Sequence, residues 1–367
     1  MAYRHAAWVL AATLGLGATA ALADDAPPRV VRVLGEMAGG DGAPRRFVID
    51  ALLKPGDEKF HSRVEGWFAG LPAPPTPDGD IPTVPHGAVS GDCVQNTCAL
   101  SVDVEDGKLA LTADLAGPAA PSTGRFAFTD GDDKTAEGAA HFTPITGPVE
   151  GLGEIAPPGA VSAEELGDLL MWNDYAPGFI NGERTDFDDG VRDPLAAWQD
   201  ANKRPGAGLI LTADLADLRA HAAETRKTSG WTEIGDKAAG WAAGYPAALL
   251  PQAGPPGPEH RFTSADGKAS LVISIGPPLS SDALSALVDQ ETAESPDRES
   301  LSYTRVNDDM EVSYSSKGQN VVEAFHSREG GLAKLVFSYP KAQEETYTTF
   351  ETLLKRSFKV GDDLNGR

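Results

Sequence analysis

The stretch 310–358 constrains the fold most. Its apolar residues first recur at every second position, as in a strand, and then at every third or fourth position, as in a helix. Apolar and polar residues alternate at 310–314 and at 335–339, and an apolar run at 321–325 lies between them. Turns that contain glycine separate the three runs. This pattern predicts consecutive antiparallel strands. Pro340, which has no backbone donor, is predicted to end the last strand.

The residues after these strands predict a helix. Tyr347, Phe350, Leu354 and Phe358 fall at helical spacing, with acids early in the segment and bases late, as the helix dipole favours. A one-sided apolar stripe needs an apolar surface to cover, and the preceding strands offer one. The end of the chain is therefore predicted to be an antiparallel sheet with a helix packed on one face.

The predicted terminal domain spans 231–367 and includes a hairpin turn at Asp266-Gly267. With Tyr245-Pro246, Tyr339-Pro340 and Ser357-Phe358, the order of its elements resembles the PsbP/Mog1-like α/β sandwich domains of exported proteins. The resemblance covers about the last third of the chain. It implies a binding or assembly role without a shared active site, and it assigns no functional residue.

Residues 1–23 have the pattern of a secretory signal peptide. Arg4 precedes a short apolar run, and Ala21-Leu22-Ala23 supplies small residues at a cleavage site. The run is shorter than the about 20 residues that a membrane-spanning helix needs. The sequence therefore predicts an exported protein, periplasmic or secreted, that keeps no membrane span after cleavage.

Residues 24–146 are predicted to form a β-rich domain. Turn residues separate short strand patterns at 29–37, 46–53, 60–68, 99–104, 108–115, 125–129 and 136–142. Many short strands at this spacing predict an antiparallel barrel or sandwich. In an exported chain, Cys93 and Cys98 predict a disulfide that closes a turn. Zinc would need two further ligands, and none lie nearby in the sequence.

Residues 147–230 are predicted to be a linker and a helical connector. Glycine and proline dominate 147–159, and Ser162-Ala-Glu-Glu165 is a capping box for a first helix. Asp193-Pro194 predicts the start of a second helix, and a third is predicted over 213–227. With the domains on either side, the sequence predicts a multidomain α+β chain.

The charge of the chain limits its partners. Acidic residues outnumber basic ones by 54 to 31, which gives a formal net charge of −23. A polyanion is a poor partner for nucleic acid, because phosphate binding depends on basic clusters. The charge is typical of a surface that keeps a protein soluble, and a cationic partner or metal ions are the alternatives.

The densest acidic cluster offers candidate ligands for calcium, which prefers several carboxylates converging from one loop. The spacing of an EF-hand is absent. The alternative is an acidic turn that leads into a helix, with the last of the acids as N-cap. The candidate ligands are Asp186, Asp188, Asp189 and Asp193.

No motif of an enzyme class occurs in the sequence: it has no nucleophile elbow, no paired-histidine zinc motif, no phosphate-binding loop and no dinucleotide fingerprint. His326, next to Ser327 at the end of a predicted strand, is the candidate general base. The alternative for His326 is an exposed strand end before a turn.

Five tryptophans could line a sugar or peptide groove or pack in a core. They are Trp67, Trp172, Trp198, Trp231 and Trp241.

Three hypotheses follow for the function. The first is a non-catalytic binding or assembly factor of the cell envelope, which recognises an envelope protein or a small molecule and needs no cofactor. The second is a hydrolase that uses His326. The third is an envelope protein stabilised by calcium at the acidic cluster. The missing motifs argue for the first hypothesis.

Overall fold

The computed structural model describes residues 28–38, 44–56, 61–71, 85–95, 97–105, 107–115, 121–131, 135–175, 189–236, 240–254, 259–293, 295–306, 309–328 and 331–361. The chain divides into two compact units, Met1–Gly151 and Leu152–Arg367. The finer domain boundaries stay predictions, and the signal peptide predicted at 1–23 lies outside the described residues. Within the described ranges, no helix is long and apolar enough to cross a membrane.

The described residues of the first unit form eight strands. They are β1 (Arg29–Ala38), β2 (Pro44–Pro55), β3 (His61–Gly70), β4 (His86–Val94), β5 (Thr97–Val104), β6 (Gly107–Asp114), β7 (Ser122–Asp130) and β8 (Thr135–Pro144). Each strand pairs antiparallel with the next, and β1 also pairs with β8, so the sheet is a closed barrel. Of the two predicted alternatives, an antiparallel barrel or a sandwich, the structure has the barrel. Strand β4 has no counterpart among the predicted strands, because Gly87, Gly91 and Asp92 interrupt its apolar pattern.

The inner face of the barrel forms one hydrophobic core. In β5 and β6 every second residue is buried, as expected of strands with one face on a core. Three phenylalanines pack together inside. The ring centroids of Phe47 and Phe68 lie 5.1 Å apart, and those of Phe47 and Phe142 lie 6.0 Å apart.

A disulfide joins two neighbouring strands of the barrel. Cys93 on β4 lies directly opposite Cys98 on β5, and the two are bonded to each other. Both side chains are fully buried. The bond closes a chain segment with a sequence separation of 5, so it links residues that the hairpin already brings together.

Replacing Cys93 and Cys98 together with alanine is expected to lower the free energy of unfolding by about 2 kcal/mol. The chain-entropy argument gives about this value for so short a loop. Chemical denaturation of the double variant beside the oxidised wild type measures the loss. Reduced wild-type protein is the control and should lose a similar amount, whereas no loss in either sample would contradict the prediction.

Three helices open the second unit: α1 (Ala163–Met171), α2 (Asp189–Ala201) and α3 (Thr212–Ser229). The predicted start of α1 is confirmed, because the Ser162 hydroxyl accepts a hydrogen bond from the backbone N–H of Glu165 at 3.0 Å.

The predicted start of α2 is wrong. The helix begins at Asp189, so Asp193 is not its N-cap, and Pro194 lies inside the helix. Burial of Val191 and Leu195 favours the longer helix, although Pro194 cannot donate its backbone hydrogen bond.

Two antiparallel sheets and two more helices complete this unit. The smaller sheet contains β9 (Trp231–Asp236), β10 (Trp241–Pro246) and β18 (Lys359–Val360), in the order β18-β10-β9. The larger sheet contains β11 (Gln252–Ala253), β12 (Glu259–Thr263), β13 (Ser270–Gly276), β14 (Glu299–Val306), β15 (Asp309–Ser316), β16 (Gln319–Arg328) and β17 (Gly331–Pro340). Its order is β11-β12-β13-β17-β16-β15-β14. The helices are α4 (Ser281–Glu291) and α5 (Glu344–Ser357).

The predicted strands and helix at the end of the chain are confirmed. Strands β15, β16 and β17 pair in succession, and Pro340 is the last residue of β17. Helix α5 packs on one face of this sheet, where the ring of Tyr347 lies edge-on to Phe337 with centroids 5.8 Å apart. The buried side chains of α1, α2 and α3 belong to the same hydrophobic core as this sheet and α5. This shared core holds the three helices in place.

A buried tyrosine links the sheet to α5. The hydroxyl of Tyr339 donates a hydrogen bond to Oε1 of Glu351. Burial, followed by the neighbouring Glu351 carboxylate, raises the pKa of Tyr339 to about 12. Burial also raises the pKa of Tyr314 to about 12. Because an unfolded tyrosine titrates near pH 10, both residues stabilise the fold below about pH 10, and this stability is lost as the pH rises towards about 12.

Between about pH 10 and about pH 12, the free energy of unfolding of the wild type is expected to fall. In Tyr339→Phe this fall is expected to be smaller than in the wild type, by up to about 3 kcal/mol. The pKa of Tyr339 is about two units higher in the folded state than in the unfolded state. At about 1.4 kcal/mol per pKa unit, this difference corresponds to the expected amount. Denaturation at a series of alkaline pH values measures the slope. Tyr303→Phe is the control, because Tyr303 is 58% exposed. Equal slopes in Tyr339→Phe and wild type would contradict the prediction.

Candidate functional site

A groove of about 580 Å³ lies among α1, α2 and α3, within the size range of small-molecule sites. Its wall comes from the segment after α1, from the end of α2 with the turn that follows, and from one face of α3. The lining residues are Asn173, Asp174, Tyr175, Trp198, Asn202, Arg204, Asp217 and His221. The wall is thus mostly polar, with two aromatic rings in it.

A buried polar network supports this wall. Gln199 is fully buried, and its Nε2 donates to Asp214 Oδ2 at 2.6 Å and to the carbonyl of Leu209 at 2.9 Å. Its Oε1 accepts from the backbone N–H of Gly208 at 2.8 Å. Asp214 is 2% exposed and also accepts from Arg204 Nη1 at 3.0 Å. Burial raises the pKa of Asp214, and the hydrogen bonds from Gln199 and Arg204 act against this rise.

Arg204 connects the network to the groove. Its Nη2 donates to Asp217, and its guanidinium carbon lies 5.1 Å from the ring centroid of Trp198. The hydrogen bond to Asp217 raises the pKa of Arg204. Two carboxylates and an aromatic ring therefore hold the guanidinium in one orientation.

Asn173 contributes an oriented amide to the wall. The residue is 8% exposed, and its Nδ2 donates to the carbonyls of Leu169 at 2.7 Å and Leu218 at 3.3 Å. These two acceptors assign the nitrogen, because a carbonyl cannot donate. Oδ1 is consequently the polar atom of Asn173 that remains for a ligand.

His326 lies on β16, opposite Asp309 on β15. Its Nδ1 is 3.0 Å from Asp309 Oδ1, and the ring lies edge-on to Phe358 with centroids 5.0 Å apart. The alternative of an exposed strand end is wrong, because the side chain is only 16% exposed beneath the segment that follows α5. Nε2 is buried and has no hydrogen-bond partner within the described residues. The Asp309 carboxylate thus orients the ring, but within the described residues no serine or other nucleophile forms a hydrogen bond with Nε2.

The predicted calcium ligands fall partly outside the structure. Asp186 and Asp188 lie outside the described residues, and Asp189 and Asp193 belong to α2. Elsewhere in the described part of the chain, no group of three or more histidine, cysteine, aspartate or glutamate residues could hold a metal ion. Calcium binding stays a prediction, which melting temperatures with calcium and with a chelator can test.

Most of the tryptophans pack in cores. Trp67, Trp172, Trp198 and Trp241 are buried, and Trp198 belongs to the same core as Trp172 and Trp241. Trp231 packs edge-on against Trp172 at 5.1 Å between centroids and stacks on Phe350 at 6.2 Å. Among the five, Trp198 is the one that lines the groove.

The polar residues of the groove were not among the sequence candidates. Asp214 has a detectable signal, because it falls at helical spacing with Leu218 and Ala222, which are buried. A carboxylate on the apolar side of a helix needs a partner to offset its desolvation. Arg204 and Asp217 carry no comparable signal, because exposed charges at such positions are ordinary.

Comparisons with known proteins add little. No family model matches the chain, and no curated protein matches it. Among solved structures, the chain is similar to the solution structure of cyanobacterial PsbP (CyanoP) from Synechocystis sp. PCC 6803. The match has 14% sequence identity and a TM-score of 0.26, and it covers 35% of this chain and 92% of that one. It is a weak structural resemblance only.

Proposed function

We propose that the protein is an exported, non-catalytic binding factor of the cell envelope, with the groove among α1, α2 and α3 as its ligand site. The observation that carries the proposal is a groove wall whose side chains are held before a ligand binds, with Arg204 as the clearest case. Arg204 donates hydrogen bonds to Asp214, which Gln199 also binds, and to Asp217, and its guanidinium packs on Trp198. Side chains that are fixed before binding lose less entropy when a ligand arrives.

Two features support export to the envelope. The pattern at 1–23 is that of a signal peptide. Cys93 and Cys98 are bonded, and disulfides persist mainly in oxidising compartments. Fractionation of cells that produce the full chain tests this part of the proposal, because an exported form should be shortened at its N-terminus. A full-length cytosolic product would contradict it.

The binding function is tested by filling the groove. Asn202 lines the groove and is exposed, so Asn202→Trp is expected to block ligands without loss of stability. A thermal-shift screen against sugars, amines, peptides and carboxylic acids should give hits for wild type that disappear in this variant. Asp200→Trp is the matched control, because Asp200 is an exposed residue of α2 outside the lining. No hits with wild type, or hits kept in Asn202→Trp, would contradict the proposal.

A hydrolase that uses His326 is the second candidate, because Asp309 lies 3.0 Å from Nδ1 and can hold the ring as a general base. The test is a panel of ester, amide and phosphoester substrates with wild type and His326→Gln. Activity that His326→Gln removes would favour the hydrolase, and no activity in wild type would contradict it.

A further inference from the structure

Two amide side chains in the groove wall offer hydrogen-bond acceptors to a ligand. Asn173 uses both hydrogens of Nδ2 on the carbonyls of Leu169 and Leu218, which leaves Oδ1. Asn202 donates one hydrogen of Nδ2 to the carbonyl of Trp198 at 2.8 Å, which assigns its nitrogen and makes Oδ1 an acceptor that a ligand can use. Two amide oxygens in the wall therefore call for a ligand with N–H or O–H donors.

The charged side chains of the wall favour the same kind of ligand. The carboxylates of Asp174 and Asp217 line the groove together with the single guanidinium of Arg204. That guanidinium donates to Asp214 and Asp217, and its face lies on Trp198. The charged groups that line the groove thus carry an excess of negative charge, and their cation is already bound to protein carboxylates.

The other lining groups do not change this balance. Tyr175 has a hydroxyl that donates or accepts, and His221 has a ring that does either. Asp174 accepts a hydrogen bond from the hydroxyl of Thr349 and keeps its other lone pairs. Neither aromatic group supplies a fixed positive charge that would attract an anion.

We infer that the groove binds a small organic cation, a primary ammonium or a guanidinium compound. Its N–H groups donate to Oδ1 of Asn173 and Oδ1 of Asn202, and its charge lies beside Asp217. The inference rests on the proposed binding function and adds the chemical class of the ligand. An anion would meet two carboxylates in the wall, and a purely apolar ligand would cover the Asn173 oxygen without giving it a donor.

Three probes that share a sugar ring separate the charge classes. At about pH 7, where an ordinary histidine is mostly neutral, glucosamine is mostly an ammonium ion, N-acetylglucosamine is neutral and glucuronate is an anion. Isothermal titration calorimetry uses the chain without its predicted signal peptide. Glucosamine is expected to bind at least about tenfold more tightly than N-acetylglucosamine, and glucuronate is expected not to bind. Putrescine and arginine amide extend the cationic set to other shapes.

Two variants then locate the charge preference. Asp217→Asn removes one carboxylate from the wall at nearly constant size, and it is expected to reduce the preference for glucosamine by about tenfold. Asp200→Asn makes the same change at an exposed position of α2 that does not line the groove, and it should keep the preference. Melting curves of both variants establish that each is folded.

The outcomes distinguish the ligand class from the binding function. If N-acetylglucosamine or glucuronate binds at least as tightly as the cationic probes, the cation class is overturned and the binding function stands. If only neutral or anionic compounds give hits that Asn202→Trp removes, the result is the same. If no compound of any class binds in the groove, both are overturned. An equal loss of preference in Asp217→Asn and Asp200→Asn would also overturn the assignment of the charge to the groove.

Discussion

Replacing Arg204 with methionine is expected to lower the free energy of unfolding by about 3 kcal/mol or more. The change keeps a long apolar stem that can pack on Trp198 and removes the charge. Asp214, with 3% of its side chain exposed, would then keep its carboxylate with Gln199 as its one remaining side-chain donor. Removal of one partner from a buried ion pair typically costs about 3–5 kcal/mol, because the other charge stays buried without compensation.

Arg219→Met is the matched control for this prediction. Arg219 forms an ion pair with Glu165 at 2.7 Å, but both side chains are nearly half exposed. Water solvates the carboxylate that remains, so the expected loss is below about 1 kcal/mol. Urea unfolding gives the two free energies, and hydrogen exchange of α2 and α3 locates the effect in the second compact unit.

A further substitution separates loss of the ion pair from loss of packing. Asp214→Asn, made in the Arg204→Met background, removes the buried charge that has lost its partner. It is expected to recover part of the stability, because the desolvation of a neutral amide costs less than that of a carboxylate. Equal losses in Arg204→Met and Arg219→Met, or no recovery in the double variant, would contradict this account of the groove wall.

The elements that were predictable from sequence are those whose pattern is local. Strands β15 and β17 have alternating residues, α5 has a one-sided apolar stripe, and Ser162 caps α1 through a residue three positions away. In each case the residues that decide the structure are close in sequence. The closed barrel was predicted as one of two alternatives, because strand spacing does not say whether the first and last strands pair.

The elements that were not predictable depend on contacts between distant segments. The groove combines residues from three separate stretches, around Asn173, Arg204 and Asp217, which meet only because α1, α2 and α3 pack on one core. His326 seemed exposed because it precedes a turn, and Phe358, far along the chain, covers it. Pro194 predicts a helix start, but it lies inside α2. Burial of Val191 in the tertiary structure favours a helix that extends further towards its N-terminus.

Strands β2 and β3 of the barrel approach each other closely at a glycine for which the sequence offers no special sign. Gly66 on β3 lies opposite Ala51 on β2. A Cβ atom at Gly66 would lie 2.5 Å from the Cα of Ala51 and 2.5 Å from the carbonyl oxygen of Asp50. Both are backbone atoms of the paired strand, so no side-chain rotation can relieve the contact. The two strands approach this closely because glycine has no side chain.

Gly66→Ala is therefore expected to lower the free energy of unfolding of the barrel by about 3 kcal/mol, at the upper end of what overpacking costs. The strands can relieve the overlap only by separating, which weakens the hydrogen bonds between β2 and β3. In a closed barrel, a local separation also shifts the neighbouring pairs. Hydrogen exchange should show faster exchange in peptides from β2 and β3, with little change in the second compact unit.

Gly131→Ala is the matched control, because a Cβ atom there would meet no atom of the described residues within 4 Å apart from its chain neighbours. The same substitution at this open position should change the free energy of unfolding by no more than about 0.5 kcal/mol. The comparison isolates the steric overlap, because alanine restricts the unfolded chain equally at both sites. If Gly66→Ala were as stable as Gly131→Ala, with unchanged exchange in β2 and β3, the pairing of these strands would not depend on the missing side chain at Gly66.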